Sequence, residues 1–238
     1  MTGISTVLAI DSAMNGCGAA VYMAGENRVF VKTAQMERGQ AEVLVPMVQE
    51  VVAQAGCGFD AIDLVVATRG PGAFTGLRIG LSTAKSTALA LDVPVAGVST
   101  LEVLARQYLE GHSLKDRQKC AVIAETKRED FYFQIFDGQG VAVSQPCVAT
   151  AAEIMEQIGT GPIVAVGDGI KRFSVLHVPE NIVFHEISLP DPAVLARLGL
   201  EQYKAEGGGG RQHNIEPLYL RAPDVSQPKT LPRVLMNK

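Results

Sequence analysis

The segment from Leu64 to Ala105 constrains the fold of this chain more than any other part of its sequence. Residues 64–68 form a short apolar, β-branched run, which is typical of a strand buried on both faces. The Gly-Pro-Gly sequence at 70–72 then ends the strand, and Thr75 is expected to cap a helix that begins near Gly76. A second strand and a second helix follow directly. The segment therefore predicts an α/β fold.

Small residues recur at every fourth position of the first predicted helix in this segment. They are Gly76, Gly80, Ala84 and Ala88. Such a ridge lets another backbone come close, because packing at steps of four is the commonest contact between helices. Two alternatives remain open for this ridge: it packs on the chain's own sheet, or it receives a helix of a partner.

Three strands joined by tight turns are predicted before this segment. They cover Thr6–Ser12, Gly16–Met23 and Arg28–Gln35. A helix follows, with Pro46 at its opening or at a bend, and its apolar face carries Leu44, Met47, Val48 and Val51. The order is three strands, helix, strand, helix, strand, helix, which is the order of a ribonuclease H-like unit.

A second, weaker α/β pattern follows Gly111. Strands are predicted at 121–125, 131–136, 141–145 and 163–167, with helices at 151–158 and 190–203. Two tandem ribonuclease H-like units, the second smaller and degenerate, indicate the architecture of the actin-like ATPase superfamily. We therefore expect domains at 1–110 and 111–222, and a flexible, proline-rich tail at 223–238.

Composition limits the cellular setting and the partners. The four cysteines, Cys17, Cys57, Cys120 and Cys147, form no CxxC pair and are expected to be reduced. The chain begins without a basic, apolar leader and contains no apolar run long enough for a membrane, so we expect a cytoplasmic protein. The net charge of -4 argues against a broad nucleic-acid footprint. Any contact with RNA must therefore be local or supplied by a partner.

Four stretches carry a resemblance to a known family. They are IDSAMNGCGAAVY at 10–22, RGPGAFTGLRIGLSTAKSTALAL at 69–91, GVSTLEVLA at 97–105 and EPLYLR at 216–221. Together they resemble the TsaB (YeaZ) family of tRNA threonylcarbamoyladenosine biosynthesis proteins, and GPGAFTGLRIG is the most specific of them. The chain departs from the family pattern at Ala73, at Ser86 and at residues 39–42. The last departure argues against a role for a polar side chain where the first helix begins.

The resemblance implies an accessory subunit of the complex that transfers a threonylcarbamoyl group onto adenosine of ANN-decoding tRNAs. The implied partners are the catalytic subunit TsaD and, through the complex, the ATPase TsaE, with tRNA contacted only indirectly. Thr100 and Leu104 stand where TsaD has the two histidines of its HxxxH metal motif. Because leucine cannot ligate a metal, the resemblance implies no metal and no catalysis by this chain.

The resemblance also implies a contact between the first two helices and the equivalent helices of TsaD. The expected interface consists of Leu44, Met47, Val48, Val51, Gly76, Gly80, Ala84 and Ala88. Without TsaD, the same face is expected to allow a homodimer.

Nucleotide binding is left with two interpretations. In the superfamily, an acidic residue and a polar hairpin after the first strand hold phosphates and Mg²⁺, and Asp11, Ser12 and Asn15 occupy that place. The second phosphate loop would be Gly167, Asp168 and Gly169. Either these residues only satisfy turn amides, or they bind ATP or ADP with Mg²⁺ weakly, at a partner interface.

An independent small-molecule kinase that uses the Asp11 loop is the alternative function. The glycine-rich loop at 70–76 also resembles a dinucleotide-binding loop, but that loop follows the first strand of its unit, whereas three strands and a helix precede this one. A peptidase is rejected, because the sequence has neither a GxSxG elbow nor a paired metal motif. The four histidines, at 112, 177, 185 and 213, are expected in loops or on the surface.

Overall fold

Two β-sheets, one of six strands and one of five, organise the chain in a computed structural model. The structure describes residues 4–115, 117–175, 181–208 and 210–221. The tail predicted at 223–238 lies outside the described residues. A mixed α/β fold, as the sequence predicts, is confirmed.

The first sheet is built by the N-terminal part of the chain. Its strands and helices are β1 (Thr6–Asp11), β2 (Gly16–Met23), β3 (Arg28–Gln35), α1 (Gln40–Gln54), β4 (Leu64–Gly70), α2 (Phe74–Leu91), β5 (Val95–Ser99) and α3 (Thr100–Gly111). Strands β1, β2 and β3 form an antiparallel meander, whereas β4 pairs with β1, and β5 with β4, in parallel. All eight elements were predicted from the sequence.

The second sheet has the same strand order as the first. Its elements are β6 (Lys119–Glu125), β7 (Phe131–Phe136), β8 (Cys147–Ala149), α4 (Ala151–Ile158), β9 (Ile163–Gly167), α5 (Ile170–Phe173) and β10 (Ile182–Glu186). The order β10-β9-β6-β7-β8 corresponds, strand for strand, to β5-β4-β1-β2-β3 in the first sheet.

Two sequence predictions fail in this second sheet. The strand predicted at 141–145 is wrong, because that stretch makes only one isolated bridge, from Ala142 to Phe136, and the third strand is β8. Strand β10 was not predicted. It is exposed at Val183, His185 and Glu186, so its sequence lacks the continuous apolar run of a buried strand.

The chain returns to the first sheet after residue 190, through α6 (Pro192–Ala205) and β11 (Gln212–His213). Helix α6 packs on β1, β2 and β4, and Gly199 lies so close to Val66 that a side chain would not fit. Asp191 caps the helix as predicted, since its Oδ1 accepts a hydrogen bond of 2.8 Å from the Ala193 amide. Helix α6 therefore packs on the first sheet and β11 pairs with its strand β5, although the sequence assigned both segments to the second domain.

Candidate functional site

The apolar face of α1 is part of the protein core. Leu44, Met47, Val48 and Val51 are at most 3% exposed and pack in one cluster with residues of β1 and β2. Burying these side chains stabilises the monomer, so they are not available to a partner. The sequence predicted these four side chains on the surface for TsaD, whereas the structure places them in the core.

The ridge of small residues on α2 also faces inward. Gly76 lies against the carbonyl oxygen of Ser12, and a Cβ atom on Gly80 would lie 2.6 Å from Oγ of Ser12. Ala84 and Ala88 are buried in the same core. Of the two alternatives left open by the sequence, the ridge packs against the chain's own first strand and its loop, because only small residues allow that approach. The sequence predicted these four residues in the interface with TsaD, whereas the structure places them against the chain's own core.

The outward faces of α1 and α2 are exposed instead. They carry Ala41, Val45 and Gln49 on α1, and Ser82, Ser86 and Leu89 on α2. Val45 is 48% exposed and Leu89 is 80% exposed. The two helices contact each other, and we call their exposed outward sides together the α1–α2 outer face.

Asp11 ends β1 and is buried by the loops around it. Its Oδ1 accepts hydrogen bonds from the Thr68 hydroxyl at 2.5 Å and from the Ala13 amide at 3.1 Å. Burial raises the pKa of this carboxyl to about 6, although both hydrogen bonds oppose that shift. The Ser12 hydroxyl, in turn, donates to the Gly76 carbonyl at 2.7 Å. Both side chains therefore hold the loop onto β4 and α2.

The second predicted phosphate loop faces the first across a narrow space. Asp168 accepts a hydrogen bond of 2.8 Å from the Glu125 amide, and burial raises its pKa to about 6. Gly167 and Gly169 both lie directly against the Ile123 carbonyl. The space between Asp168 and Asn15 measures about 50 Å³. Asp11 and Ser12 are buried and do not line this space, so these two side chains are not placed to hold a nucleotide with Mg²⁺ there.

The start of α3, where the resemblance places the metal motif of TsaD, is closed by apolar packing. Thr100 and Leu104 are fully buried. Across the described ranges, no three His, Cys, Asp or Glu side chains come together as a metal site would require.

The four histidines lie elsewhere in the sequence. His112 stacks on Tyr108, His213 pairs with Glu206, and His177 lies outside the described residues. His185 is exposed on β10.

A large groove lies where the N-terminal ends of α1 and α2 meet two other segments, the β6–β7 turn and residues 218–221. It measures about 970 Å³. Its cationic lining residues are Arg38, Arg78, Lys127, Arg128 and Arg221, its acidic ones are Glu37 and Glu42, and its aromatic ones are Phe74, Tyr132 and Tyr219. We call it the basic groove.

Sequence reasoning missed the basic groove, because its cationic residues come from four separate segments. The sequence predicted Thr75 as the cap of α2, which is wrong: the helix begins at Phe74, after Ala73, and has no side-chain cap. Helix α1 likewise follows Gly39 without a side-chain cap. Each helix N-terminus thus leaves backbone amides for another acceptor.

A protein-family model matches the central part of the chain. Residues 33–174 match the family model described as TsaD: tRNA N6-adenosine threonylcarbamoyltransferase. The matched segment is more than half of the chain and includes α1, α2, α3 and most of the second sheet.

Comparisons over nearly the whole chain are more specific. The chain is 27% identical to the tRNA threonylcarbamoyladenosine biosynthesis protein TsaB of Haemophilus influenzae, over 91% of this chain and 93% of that protein. It is 31% identical to an uncharacterised protein of Mycobacterium tuberculosis, over 93% and 94% of the two chains. YeaZ of Pseudomonas aeruginosa superposes with a TM-score of 0.76 at 25% identity, covering 91% of this chain and all of that one. The chain belongs to the family of this model, in its TsaB (YeaZ) branch.

Proposed function

We propose that this chain is a non-catalytic subunit of the machinery that forms N6-threonylcarbamoyladenosine on ANN-decoding tRNAs, and that it acts by binding the catalytic subunit TsaD. The family membership supports the process, since relatives of nearly the same length carry that name. The burial of Thr100 and Leu104 is the single observation that carries the non-catalytic role. The ATPase TsaE is proposed to join through the complex.

The α1–α2 outer face is proposed as the surface for TsaD. Val45 and Leu89 are large apolar side chains that the monomer leaves exposed, and Ser82 and Ser86, on the same side of α2 as Leu89, are small enough to allow close helix contact. This surface replaces the buried residues predicted from the sequence, but it lies on the same two helices. In the absence of TsaD, the same face is proposed to support a homodimer.

The repeated strand order supports the proposal of two tandem ribonuclease H-like units, the second smaller. The proposed division assigns β1 to α3, together with α6 and β11, to the first unit, and β6 to β10 to the second. Five strands of the first sheet correspond in order to the five strands of the second. Because α6 buries its apolar surface on the first sheet, the chain must cross back to complete that unit.

No cofactor is proposed for the chain by itself, and any ATP or ADP with Mg²⁺ is proposed to bind only where a partner completes the site. The alternative, a kinase that uses the Asp11 loop, is not favoured by the structure. The buried Asp11 carboxyl is held by the Thr68 hydroxyl and the Ala13 amide, and it does not line the adjacent space.

The test of the proposed process is complementation. In cells depleted of their own chain, N6-threonylcarbamoyladenosine in bulk tRNA is measured by mass spectrometry, with and without the plasmid-borne protein. We expect the modification to fall on depletion and to return with the plasmid. Unchanged modification after full depletion would refute the proposal.

The test of the interface is a pair of single substitutions, Val45→Glu and Leu89→Glu. Both residues are exposed, so the monomer should fold normally, while a charge buried against TsaD should reduce the affinity by at least about tenfold. Titration calorimetry with purified TsaD measures this, and Val183→Glu, at an exposed position of β10 in the second sheet, is the control. Equal affinity for all the variants would place the interface elsewhere.

A further inference from the structure

We propose that the basic groove binds a short single-stranded stretch of RNA, in the tRNA that is being modified. This inference rests on the proposed function for the identity of the RNA, but the groove's chemistry argues for single-stranded nucleic acid by itself. The observations are the charge, the exposed aromatic rings, the helix ends and the size of the groove.

The groove is positive although the chain as a whole is negative. Its lining has five cationic and two acidic side chains, against a net charge of -4 for the chain. Arg221 is paired with Asp130, so part of this charge is neutralised. Arg38 and Lys127 are exposed and donate no hydrogen bond to any residue in the described ranges. They are therefore available to phosphate groups. Because the chain as a whole is acidic, contact with RNA is expected only at such a local cluster of cations.

Exposed aromatic rings lie beside these cations. Phe74 is 46% exposed and Tyr219 is 42% exposed, and their ring centroids are 5.4 Å apart. The Arg78 guanidinium lies 3.7 Å from the centre of the Phe74 ring, and its Nε donates to the Tyr219 hydroxyl at 3.3 Å. Bases of single-stranded RNA stack on aromatic rings and on guanidinium planes, so this cluster is a platform for a base.

Two helix N-termini open into the same groove. The first turns of α1 and α2 line it, and neither carries a side-chain cap. Their free amides and positive dipole ends favour phosphate oxygens. A volume of about 970 Å³ has room for more than one nucleotide. Phosphates at the helix ends and a base on Phe74 and Tyr219 would use every one of these features.

The position of the groove agrees with the proposed assembly. It lies at the N-terminal ends of the two helices whose outer face is proposed for TsaD, so an RNA held there would lie beside the catalytic subunit. The chain would then contact tRNA directly, rather than only through its partner as the resemblance implies.

The experiment measures binding of the full-length chain to a fluorescent RNA hairpin that has the anticodon loop of an ANN-decoding tRNA. Anisotropy is followed between about 50 and 200 mM salt, which gives the slope of log affinity against log salt concentration (the salt slope).

Each of Arg38→Ala and Lys127→Ala should weaken binding about fivefold at 0.1 M salt and reduce the salt slope by about 0.7. Phe74→Ala and Tyr219→Ala should weaken binding about five- to a hundredfold with the slope unchanged. Arg28→Ala and Lys204→Ala, cations outside the groove, are matched controls, and circular dichroism checks folding.

Four results would overturn the inference. They are no measurable binding of the hairpin, equal binding by groove variants and controls, competition by AMP or ATP as strong as by unlabelled hairpin, and groove variants that lose TsaD but keep RNA. The third would indicate a mononucleotide site, and the fourth a protein contact. Failure of the proposed process is separate, because it appears as unchanged tRNA modification in depleted cells whatever the hairpin does.

Discussion

The ionised carboxyl of Asp11 should oppose folding at neutral pH, and replacing it with asparagine measures by how much. Its pKa is raised from 3.8 to about 6, a difference of about 2 units, which corresponds to about 3 kcal/mol. Because the folded pKa is the higher one, the native state binds more protons. The contribution of the protonated Asp11 carboxyl to the free energy of unfolding is fully present below about pH 4, and it is lost as the pH rises through about 6.

Asp11→Asn keeps an oxygen that can accept from Thr68 and Ala13, and it removes the charge. The buried amide group that it adds has a cost, but that cost does not depend on pH. The stability of the variant relative to wild type should therefore rise by about 1.5 kcal/mol between about pH 5 and about pH 8, as follows from the two pKa values.

Urea unfolding at each pH, followed by circular dichroism, measures this difference. Asp60→Asn, the same substitution at an exposed position, is the control. A difference between Asp11→Asn and wild type that is the same at both pH values would refute the reasoning, because the carboxyl would then not be destabilised by burial.

Three further predictions concern packing. Gly76→Ala should destabilise the protein by about 1 to 3 kcal/mol through overlap with the loop after β1, while Ser82→Ala changes little, as measured by urea unfolding. Leu44→Ala should cost about 2 to 5 kcal/mol and Val45→Ala less than about 0.5, and similar values for the two would contradict the assigned faces of α1. Cys120 is buried and its pKa is raised to about 12, so the native protein should resist thiol reagents there, whereas labelling as fast as in urea would be inconsistent with the core.

Local sequence signals predicted most of the elements correctly. The β-branched run at 64–68 and the periodic apolar positions of α1 and α2 have strong patterns, and each pattern corresponds to an element. The strand at 141–145 failed, because a short alternating stretch can lie beside a sheet without pairing along its length. The prediction that Thr75 caps α2 was wrong, because a hydrogen bond from the Ala73 amide to the Ala13 carbonyl fixes where that helix starts.

The candidate sites were predicted less well than the elements. The sequence proposed Asp11 and Asp168 as parts of two phosphate loops, but it could not show that the Asp11 side chain is buried away from the space beside Asp168. It also predicted that Leu44 and Gly80 both lie in the interface with TsaD, because one is apolar and the other is small. A pattern of such residues is the same whether the face packs on a sheet or on a partner.

The amino-acid sequence by itself determined the family, the order of strands and helices from β1 to α3, and the absence of the HxxxH pair at Thr100 and Leu104, because these depend on residues close together in the chain. Only the tertiary structure decided which helix faces are buried, that α6 completes the first sheet, and that Arg38, Phe74, Lys127 and Tyr219 line one groove. The physical reason is that burial and charge clustering depend on contacts between residues far apart in sequence, and no local pattern specifies those contacts.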